Sequence, residues 1–563
     1  MNNKRTLLFT FFTMSFILLF DSWQTFNGHQ SFFTAFQLNK QAPAPIVSNT
    51  QTSNNLTADA SKVPSTNANN VNEVSQNAKL ITLKTDLYEV NINTLGGSIQ
   101  SLKLLKYLDK DGKNPVQIFG DKYNYQARSG LSNGPNHTNI FTPTTTQTAL
   151  TDKTLVFSLS STANNIELIK TYTFYRNSYV IDTDFKVINK SNTTFTPDLY
   201  VELLRNGETL QESMFYSTFT GPAIYTNEEK YQKINFSDLD KNKASYPSTA
   251  NDGWIAMVQH YFVSSWIMPK GERKFYAENI SPNLYRVGFR ANLPNLAPNT
   301  QTNRMVKLFA GPQQERLLEN TADGLDLVKD YGWVTMFAKP LFWLLENIFK
   351  YVENWGWSII LLTLFLKTIF FPLTAASQRS MAKMKNLQPK VTALKERFAN
   401  EPQKMQQEML AIYRTEKVNP MGGCLPMLIQ IPVFIALYFV LLSSVEMRNA
   451  PWISWIQDLS KPDTLFGIIP VFGGIPIGLL PILMAVSMYV QIKLNPKPAD
   501  PLQAKVMLVI PMVFSVMFFF FPSGLVLYYV VNNLLSILQQ WYINRSLNKP
   551  VMQAIAKAVV NSK

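Results

Sequence analysis

The chain has few of the residues from which most catalytic and metal sites are built. Its 563 residues include one cysteine, Cys424, and three histidines, His29, His137 and His260. A single cysteine excludes an internal disulfide and a cysteine zinc cluster, and three widely separated histidines leave little room for a histidine metal site. The sequence therefore predicts no metal site built from cysteine or histidine.

Charged residues are also scarce, at 16% of the chain against 46% hydrophobic residues. Soluble domains usually carry roughly a quarter charged residues, so a uniformly soluble chain is excluded. The mean hydropathy of −0.05 is too low for a chain that lies entirely in a membrane. These values predict a polar domain joined to a membrane domain. The net charge of +14 is expected in cytoplasmic loops, and no specific nucleic-acid site is needed to explain it.

The N-terminus has the layout of a membrane signal. Two basic residues precede an apolar run from Leu7 to Phe20, and no small-residue cleavage pattern follows. We expect residues 1–23 to form an uncleaved anchor with a cytoplasmic N-terminus, the alternative being a cleaved signal peptide. Residues 24–79 are rich in Asn, Ser, Thr, Ala and Pro, which predicts a flexible periplasmic linker.

Residues 80–330 have the pattern of β-structure. Along Val180–Val187, one set of alternate positions is mostly apolar and includes Thr183, whereas the other set is mostly charged. A period of two indicates a half-buried strand. Another strand is predicted at Glu167–Tyr175, and the spacing of further strands and turns favours an antiparallel β-sandwich. No catalytic motif is visible, so we expect a scaffold or docking domain, with a ligand-binding sandwich as the alternative.

Apolar stretches fill the C-terminal half. Residues 331–353 have the spacing of an amphipathic helix, expected at the membrane interface or, alternatively, on the β-domain. Five later stretches are each about long enough to span a membrane: Trp357–Leu373, Gly422–Val445, Pro470–Gln491, Val506–Phe521 and Leu525–Trp541. Together with the anchor they predict six spans. Residues 374–421 hold nine Lys or Arg against four Glu, and the C-terminal tail is basic, so both are expected in the cytoplasm.

The cytoplasmic loop at 378–418 predicts a helical hairpin with an apolar seam. Apolar residues recur there at spacings of three and four, and Pro402 suits the first turn of a second helix. The residues of the seam are Met381, Met384, Leu387, Val391, Leu394, Phe398, Met405, Met409 and Ile412. This apolar stripe is expected mainly to close the hairpin, while the charged outer face can dock partners.

Three long segments carry a resemblance to a known family. Residues 419–438 read NPMGGCLPMLIQIPVFIALY, residues 521–540 read FPSGLVLYYVVNNLLSILQQ, and residues 370–390 read FFPLTAASQRSMAKMKNLQPK. Together with INTLGG at 92–97, they resemble the YidC/Oxa/Alb family of membrane-protein insertases. Motifs of about twenty residues in this order are far more specific than a short pattern. The chain departs from the family at Lys367, where an arginine is usual, and in a longer segment at 468–478.

The resemblance implies a bacterial inner-membrane protein that inserts and helps fold other inner-membrane proteins and is not an enzyme. The expected architecture is an N-terminal anchor (1–23), a linker (24–79), a periplasmic sandwich (80–330), an interfacial helix (331–353), a five-helix insertase core (354–545, with the hairpin at 378–418) and a basic cytoplasmic tail (546–563). It further implies multi-pass insertion with both termini in the cytoplasm. The implied partners are nascent membrane proteins, the Sec translocon, the ribosome or the signal recognition particle pathway, and the lipid bilayer.

Lys367 is the strongest candidate for a site within the membrane core, because no other formal charge lies in the five apolar stretches. A charge kept there usually faces water or a partner, although a snorkelling lysine is the alternative. Polar neighbours predict a cationic hydrophilic groove that binds client segments: Thr363, Gln430, Tyr528, Tyr529, Asn532 and Ser536. Each polar group alone can instead join helices to one another, and the alternative for Tyr528 and Tyr529 is that they anchor the outer membrane interface. The resemblance assigns Ile431, Pro432, Phe434 and Ile435 to a hydrophobic slide, where composition alone favours ordinary packing.

A secondary transporter or channel is the main alternative function. Such proteins usually need a carboxylate within the membrane, and no Asp or Glu occurs in the five apolar stretches. Cys424 lies in an apolar stretch without a nearby histidine, so it is expected to be an inert buried thiol.

Overall fold

The computed structural model describes residues 78–109, 111–208, 218–398, 401–416, 425–470, 474–494, 509 and 511–560. The predicted anchor at 1–23, the predicted linker up to residue 77, and Cys424 lie outside the described residues. The described residues up to Lys329 form one compact unit, and those from Asp330 onward form a second.

The first unit is built almost entirely of strands. They are β1 (Leu80–Lys84), β2 (Tyr88–Asn93), β3 (Ser98–Leu108), β4 (Pro115–Phe119), β5 (Gln126–Leu131), β6 (Thr142–Pro143), β7 (Thr154–Ala163), β8 (Ile166–Tyr175), β9 (Val180–Asn189), β10 (Asp198–Asn206), β11 (Gly221–Thr226), β12 (Lys230–Lys233), β13 (Thr249–Ala250), β14 (Trp254–Val258), β15 (Phe262–Ile267), β16 (Arg273–Ser281), β17 (Leu284–Asn292) and β18 (Gln301–Pro312). Two short helices accompany them, α1 (Phe236–Asp240) and α2 (Glu315–Glu319).

These strands form two nine-stranded antiparallel sheets, which confirms the predicted antiparallel sandwich. The first sheet has the order β1-β2-β3-β5-β10-β17-β16-β13, with β4 beside β3. The second has the order β12-β11-β14-β15-β18-β9-β8-β7-β6. The predicted strands at 167–175 and 180–187 are confirmed as β8 and β9. In β9 the alternate residues Ile181, Thr183, Phe185 and Val187 are buried, as the period of two required.

Polar side chains from one sheet bond to the backbone of the other, so the two sheets pack face to face. The Tyr88 hydroxyl on β2 donates to the Ala310 carbonyl on β18 at 2.7 Å. Trp266 Nε1 on β15 donates to the Glu202 carbonyl on β10 at 3.2 Å. These bonds satisfy polar groups that would otherwise be buried without partners.

Lys170 on β8 is the most unusual of these cross-links, because its side chain is fully buried. Its Nζ donates to the Gly96 carbonyl at 2.6 Å and to the Ser129 carbonyl at 2.7 Å, and it lies 4.6 Å from the centroid of the Phe141 ring. Gly96 has a φ of +76°, a conformation that favours glycine, so this turn can present its carbonyl to the ammonium group. Burial lowers the pKa of Lys170 to about 7 from an ordinary 10.5.

We expect the free energy of unfolding to rise with pH from about 7 to about 10.5, by at most about 1.4 kcal/mol per pH unit from Lys170. In that window the unfolded chain holds a proton that the folded chain has released. Below it, both states are charged and the full penalty of burying the charge remains. Lys170→Met should lack this contribution. Denaturant unfolding of the purified chain and the variant at about pH 6 and about pH 9 tests this, and a difference between the two proteins that is independent of pH would contradict it.

The second unit is helical. Its elements are α3 (Thr335–Val352), α4 (Trp355–Ile369), α5 (Phe371–Arg397), α6 (Pro402–Thr415), α7 (Leu425–Ser443), α8 (Leu479–Leu494), α9 (Pro511–Phe520) and α10 (Ser523–Val560), with a small hairpin of β19 (Ile468–Ile469) and β20 (Ile475–Pro476). Among the described residues, no continuous helix is both long and apolar enough to cross a membrane alone. The helices Trp355–Ile369 and Phe371–Met384 reach that length and apolar composition only when they are taken together, with a bend of 66° between them. Shorter apolar helices are Gln430–Ser443, Leu479–Leu494 and Pro511–Phe520.

Two predicted boundaries of the apolar stretches are wrong. The stretch Trp357–Leu373 is not one helix, because α4 ends at Ile369 and α5 begins anew at Phe371. Pro372 lies at the start of α5, where it cannot donate the backbone hydrogen bond that would continue α4.

The stretch predicted from Pro470 begins instead at Leu479, after the β19–β20 hairpin. The buried Asp463 side chain accepts hydrogen bonds from the Leu465 backbone N–H at 3.1 Å and from the Leu480 backbone N–H at 2.9 Å. The second of these bonds satisfies an N–H of the first turn of α8 and therefore favours the start of the helix there.

The amphipathic helix predicted at 331–353 is present as α3, after a 3₁₀ turn at Gly332–Val334. Its buried residues are Ala338, Leu341, Phe342 and Leu345, whereas Phe337 is exposed. The Phe349 ring stacks on Trp355 with 4.0 Å between ring centroids. These contacts join α3 to α4 within the second unit.

The region of the predicted helical hairpin contains α5 and α6, and α6 begins at Pro402. Leu387 and Val391 of the seam are buried on α5, and Met405, Met409 and Ile412 of α6 are half-buried. An ion pair of 2.6 Å between Lys390 and Glu416 joins α5 to the residue that follows α6.

Candidate functional site

A cavity of about 40 Å³ lies where α4, α7 and α10 meet the start of α5. Its lining consists of Thr363, Leu366, Lys367, Phe370, Leu373, Thr374, Gln430, Val433, Tyr528 and Asn532. Five of the predicted groove residues therefore surround one cavity, although they come from three separate helices. At about 10–15 Å³ per water molecule, the cavity has room for roughly three.

Lys367 is held at this cavity by one direct hydrogen bond. Its Nζ donates to the Ser536 hydroxyl at 2.7 Å, and the same hydroxyl donates to the Asn532 carbonyl at 2.8 Å. Ser536 thus connects the ammonium group of α4 to the backbone of α10. Thr363, one turn before Lys367, donates its hydroxyl hydrogen to the Ile359 carbonyl at 2.6 Å.

Across the cavity, the side chains of Tyr528 and Gln430 interact with each other. The described part of the chain gives Lys367 no ion pair, and no Asp or Glu belongs to the described cavity lining. A lysine has three N–H donors, and the Ser536 bond uses one. The site can therefore offer positive charge and hydrogen-bond donors to an incoming polar or acidic group. The described cavity holds neither a nucleophile paired with a base nor a metal-ligand cluster.

The predicted slide lies on α7, next to the cavity-lining residues Gln430 and Val433. Ile431 is 45% exposed, and Pro432, Phe434 and Ile435 are half-buried. This helix therefore presents apolar surface beside its polar contribution to the cavity.

Comparison with known proteins decides the family. Residues 80–344 match the family model of the YidC periplasmic domain, and residues 347–550 match that of the 60Kd inner membrane protein. The membrane protein insertase YidC of Cupriavidus taiwanensis is 52% identical over 572 residues, covering 99% of this chain and 100% of the relative. The chain belongs to the YidC family of membrane protein insertases. The insertase of Cupriavidus necator is 51% identical with the same coverage.

A solved crystal structure of an active YidC insertase, with its first transmembrane domain resolved, aligns over 82% of this chain and 92% of its own. The alignment has 18% sequence identity and a TM-score of 0.38. The family assignment depends on the sequence matches. It makes this chain an inner-membrane insertase with a periplasmic domain and not an enzyme, and it does not support the alternative of a transporter or channel.

The structure does not bring every predicted groove residue to the cavity at Lys367. Tyr529 lies outside the cavity lining, and its ring packs against Phe434 and Phe518, with 4.7 Å between centroids in each pair. Successive residues on a helix point about 100° apart, so Tyr528 and Tyr529 cannot face the same neighbour. Tyr529 instead contacts the slide residue Phe434.

Sequence reasoning missed the polar contribution of α5. Thr374 lines the cavity, and its hydroxyl accepts a hydrogen bond from Gln539 Nε2 at 2.7 Å. The prediction of a continuous apolar stretch to Leu373 placed Thr374 beyond its end. Pro372 was the available signal, because a proline at this point favours a new helix whose first turn returns to the cavity.

Proposed function

We propose that the cavity at Lys367 is the point where this insertase receives the polar, translocated segment of a client membrane protein. The observation that supports this most strongly is the position of Lys367, an ammonium group at a cavity between apolar helices that has one hydroxyl partner and no carboxylate partner among the described residues. A lysine at the centre of a membrane helix costs roughly 2.5–3.5 kcal/mol on insertion scales, and less towards the end of the helix. Lys367 lies in the last turn of α4, beside the bend into α5, so its cost is smaller but still favours a use for the charge.

The mechanism is electrostatic and positional. An acidic or polar group of the client replaces the Ser536 hydroxyl as the partner of Lys367, while Ser536 keeps its bond to the Asn532 carbonyl. Two opposite unit charges about 4 Å apart attract by roughly 4 kcal/mol at an effective dielectric of about 20, before desolvation. The cavity has room for only about three waters, so the client segment must separate α4, α7 and α10 as it enters.

The client's apolar helix then leaves along α7. Ile431, Pro432, Phe434 and Ile435 supply the slide, and Tyr529 supports it through its contact with Phe434. A polar segment held at the cavity and an apolar segment held at the slide would place the two parts of one client on neighbouring surfaces. Its helix then reaches lipid without carrying the polar tail through hydrocarbon.

The proposed topology has six spans, with both termini in the cytoplasm and the sandwich in the periplasm. The anchor at 1–23 supplies the first span, and the core at 354–545 supplies five. The basic excess at 374–421 and in the tail at 546–563 supports a cytoplasmic position for both. In this topology the chain leaves the membrane along α5, whose later part is the first helix of the hairpin.

The proposed partners, besides clients and lipid, are the Sec translocon and the ribosome or signal recognition particle pathway. The hairpin is the proposed contact for the ribosome, because its apolar residues are used within the seam while its charged residues are exposed. Lys404 and Glu401, for example, form a solvent-exposed pair at 2.8 Å. Exposed charges suit a partner that carries charge of its own.

Depletion of the chain in its own cells tests the proposed function. An insertase deficit should leave small inner-membrane proteins uninserted, as measured by protease access to their tails, and re-expression of the chain should restore insertion. Normal insertion in depleted cells, with the chain absent by immunoblot, would contradict the proposal.

Deletion of most of residues 80–320 should leave insertion largely intact. The helix α3 must be kept, because Phe342 and Leu345 are buried in the second unit and Phe349 stacks on Trp355. The cavity residues all lie in that unit, so removing the sandwich removes no group that contacts a client in this mechanism. The measurement is client insertion at matched protein level, and loss of insertion for every client would refute the prediction.

A further inference from the structure

A second cavity, of about 550 Å³, lies within the periplasmic unit and has no role in the insertion mechanism. Its lining is almost entirely polar: Ser132, Asn133, Thr196, Asp198, Glu272, Arg273, Lys274, Arg290, Asn292 and Arg304. Four cationic side chains face two carboxylates. The cavity draws residues from both sheets, since Arg304 is on β18 whereas Arg273 and Lys274 are on β16.

Some of the charged side chains of this cavity are already bonded to other groups of the protein. Asp198 accepts hydrogen bonds from Arg290 and from Ser132, so this carboxylate is already paired. Arg273 is fully buried, and its guanidinium donates to backbone carbonyls, including that of Gly253 at 2.7 Å and that of Pro269 at 2.8 Å. Both arginines therefore have structural partners.

The Nε atoms of Arg290 and Arg304 are both buried without a hydrogen-bond partner among the described residues. The Arg290 guanidinium is nevertheless bonded to Asp198, which leaves Arg304 as the arginine whose charge the fold uses least. The pKa of Arg273 is lowered to about 10, mainly by burial. Asp252 opposes this effect, and the positive charge of the nearby Arg304 contributes to it. Two guanidinium groups held close together repel each other, and an anion bound beside them relieves that repulsion.

We propose that this cavity binds a phosphorylated polyol, with its phosphate at Arg304 and Lys274 and its hydroxyls towards the amide and hydroxyl side chains. The cations supply the charge that a phosphate requires, and a guanidinium suits its geometry. Asn133, Thr196 and Asn292 supply uncharged hydrogen-bonding groups on the same lining. The ligand has two sources, the headgroup of a glycerophospholipid or a free sugar or glycerol phosphate. This site is independent of the proposed insertion mechanism.

The first test is calorimetric titration of the full-length chain in neutral detergent with glycerol phosphate, inorganic phosphate and glycerol. Glycerol phosphate should bind most tightly, inorganic phosphate more weakly, and glycerol not measurably. Equal affinity for glycerol phosphate and inorganic phosphate would overturn the assignment of a polyol, and no binding of either would overturn the site.

Variants then locate the binding. Arg304→Gln should weaken glycerol phosphate binding about tenfold or more, because it removes a charged hydrogen-bonding group. Arg304→Lys should retain part of the affinity. Lys153→Gln is the matched control, since Lys153 is an exposed cation of the same unit outside the cavity lining. Equal loss in Arg304→Gln and Lys153→Gln would show non-specific attraction to a basic surface and overturn the proposal.

The source of the ligand is decided with nanodiscs of phosphatidylglycerol or phosphatidylcholine. Thermal stabilisation by phosphatidylglycerol that disappears in Arg304→Gln assigns the lipid headgroup. Binding of free glycerol phosphate that is the same in both lipids assigns the soluble source. Circular dichroism of each variant checks that the sandwich remains folded, so that a loss of binding can be attributed to the cavity.

Discussion

Lys367→Ala should abolish insertion of clients with charged, translocated tails, whereas Lys367→Arg should support it. The mechanism needs a positive charge at the cavity between α4, α7 and α10, and arginine supplies one that persists when desolvated. Alanine leaves Ser536 without its ammonium donor and the cavity without charge. The measurement is protease protection of client tails in cells that carry only the variant. Clients with short, neutral tails should tolerate alanine better, because little charge enters the cavity.

Lys350→Ala is the matched control for this experiment. Lys350 is an exposed lysine near the end of α3, bonded to Asn347 on its own helix, and its loss removes the same charge from the same unit without touching the cavity. Insertion should be unchanged in this variant. If Lys367→Ala inserts every client as well as the native chain does, Lys367 is a snorkelling side chain and the charged-cavity mechanism is wrong for this protein.

Deletion of residues 380–416 should strongly impair insertion without unfolding the membrane core. The deletion removes the charged outer face of the hairpin but leaves the first part of α5, where Thr374 is bonded to Gln539. Recruitment of ribosomes or targeting factors is the step that we expect to fail. The measurements are client insertion and co-purification of ribosomes with the chain, at matched protein level in the membrane.

A double variant with Lys390→Glu and Glu416→Lys distinguishes a loss of partner recruitment from a loss of the folded hairpin. It keeps the ion pair between the two positions and the net charge of the loop, so the hairpin should remain closed and insertion near normal. An unimpaired deletion of 380–416 would instead show that the loop is only a spacer.

The sequence predicted five of the ten residues that line the cavity, because a charge in an apolar helix is rare and needs an explanation. Lys367 identified the position, and the helical spacing of Thr363 from Lys367 gave a shared face. The family motifs supplied the other two helices, since no short-range pattern says that Gln430 on α7 and Tyr528 on α10 meet. These two residues are far apart in the sequence and come together only in the folded chain.

The failures have local physical causes. Tyr529 was predicted in the groove with Tyr528, although adjacent helical residues diverge by about 100°. The start of α8 was placed at Pro470 from hydropathy, which cannot distinguish a buried apolar helix from the apolar β19–β20 hairpin. Lys170 drew no notice in the sequence, because an isolated lysine in a strand is usually solvated, and only the packing of the two sheets buries it.

The most direct test of the charged-cavity mechanism is photocrosslinking from defined positions of the insertase to a ribosome-arrested client. A photoreactive residue at Val433, in the cavity lining, should crosslink to the client's polar tail, and one at Ile431, on the slide, should crosslink to its apolar helix. Leu361, exposed on α4 and outside the cavity, is the reference position. Crosslinks from Val433 that exceed those from Leu361 and weaken in the Lys367→Ala background are the predicted result. Equal crosslinking from Val433 and Leu361, unchanged by Lys367→Ala, would contradict it.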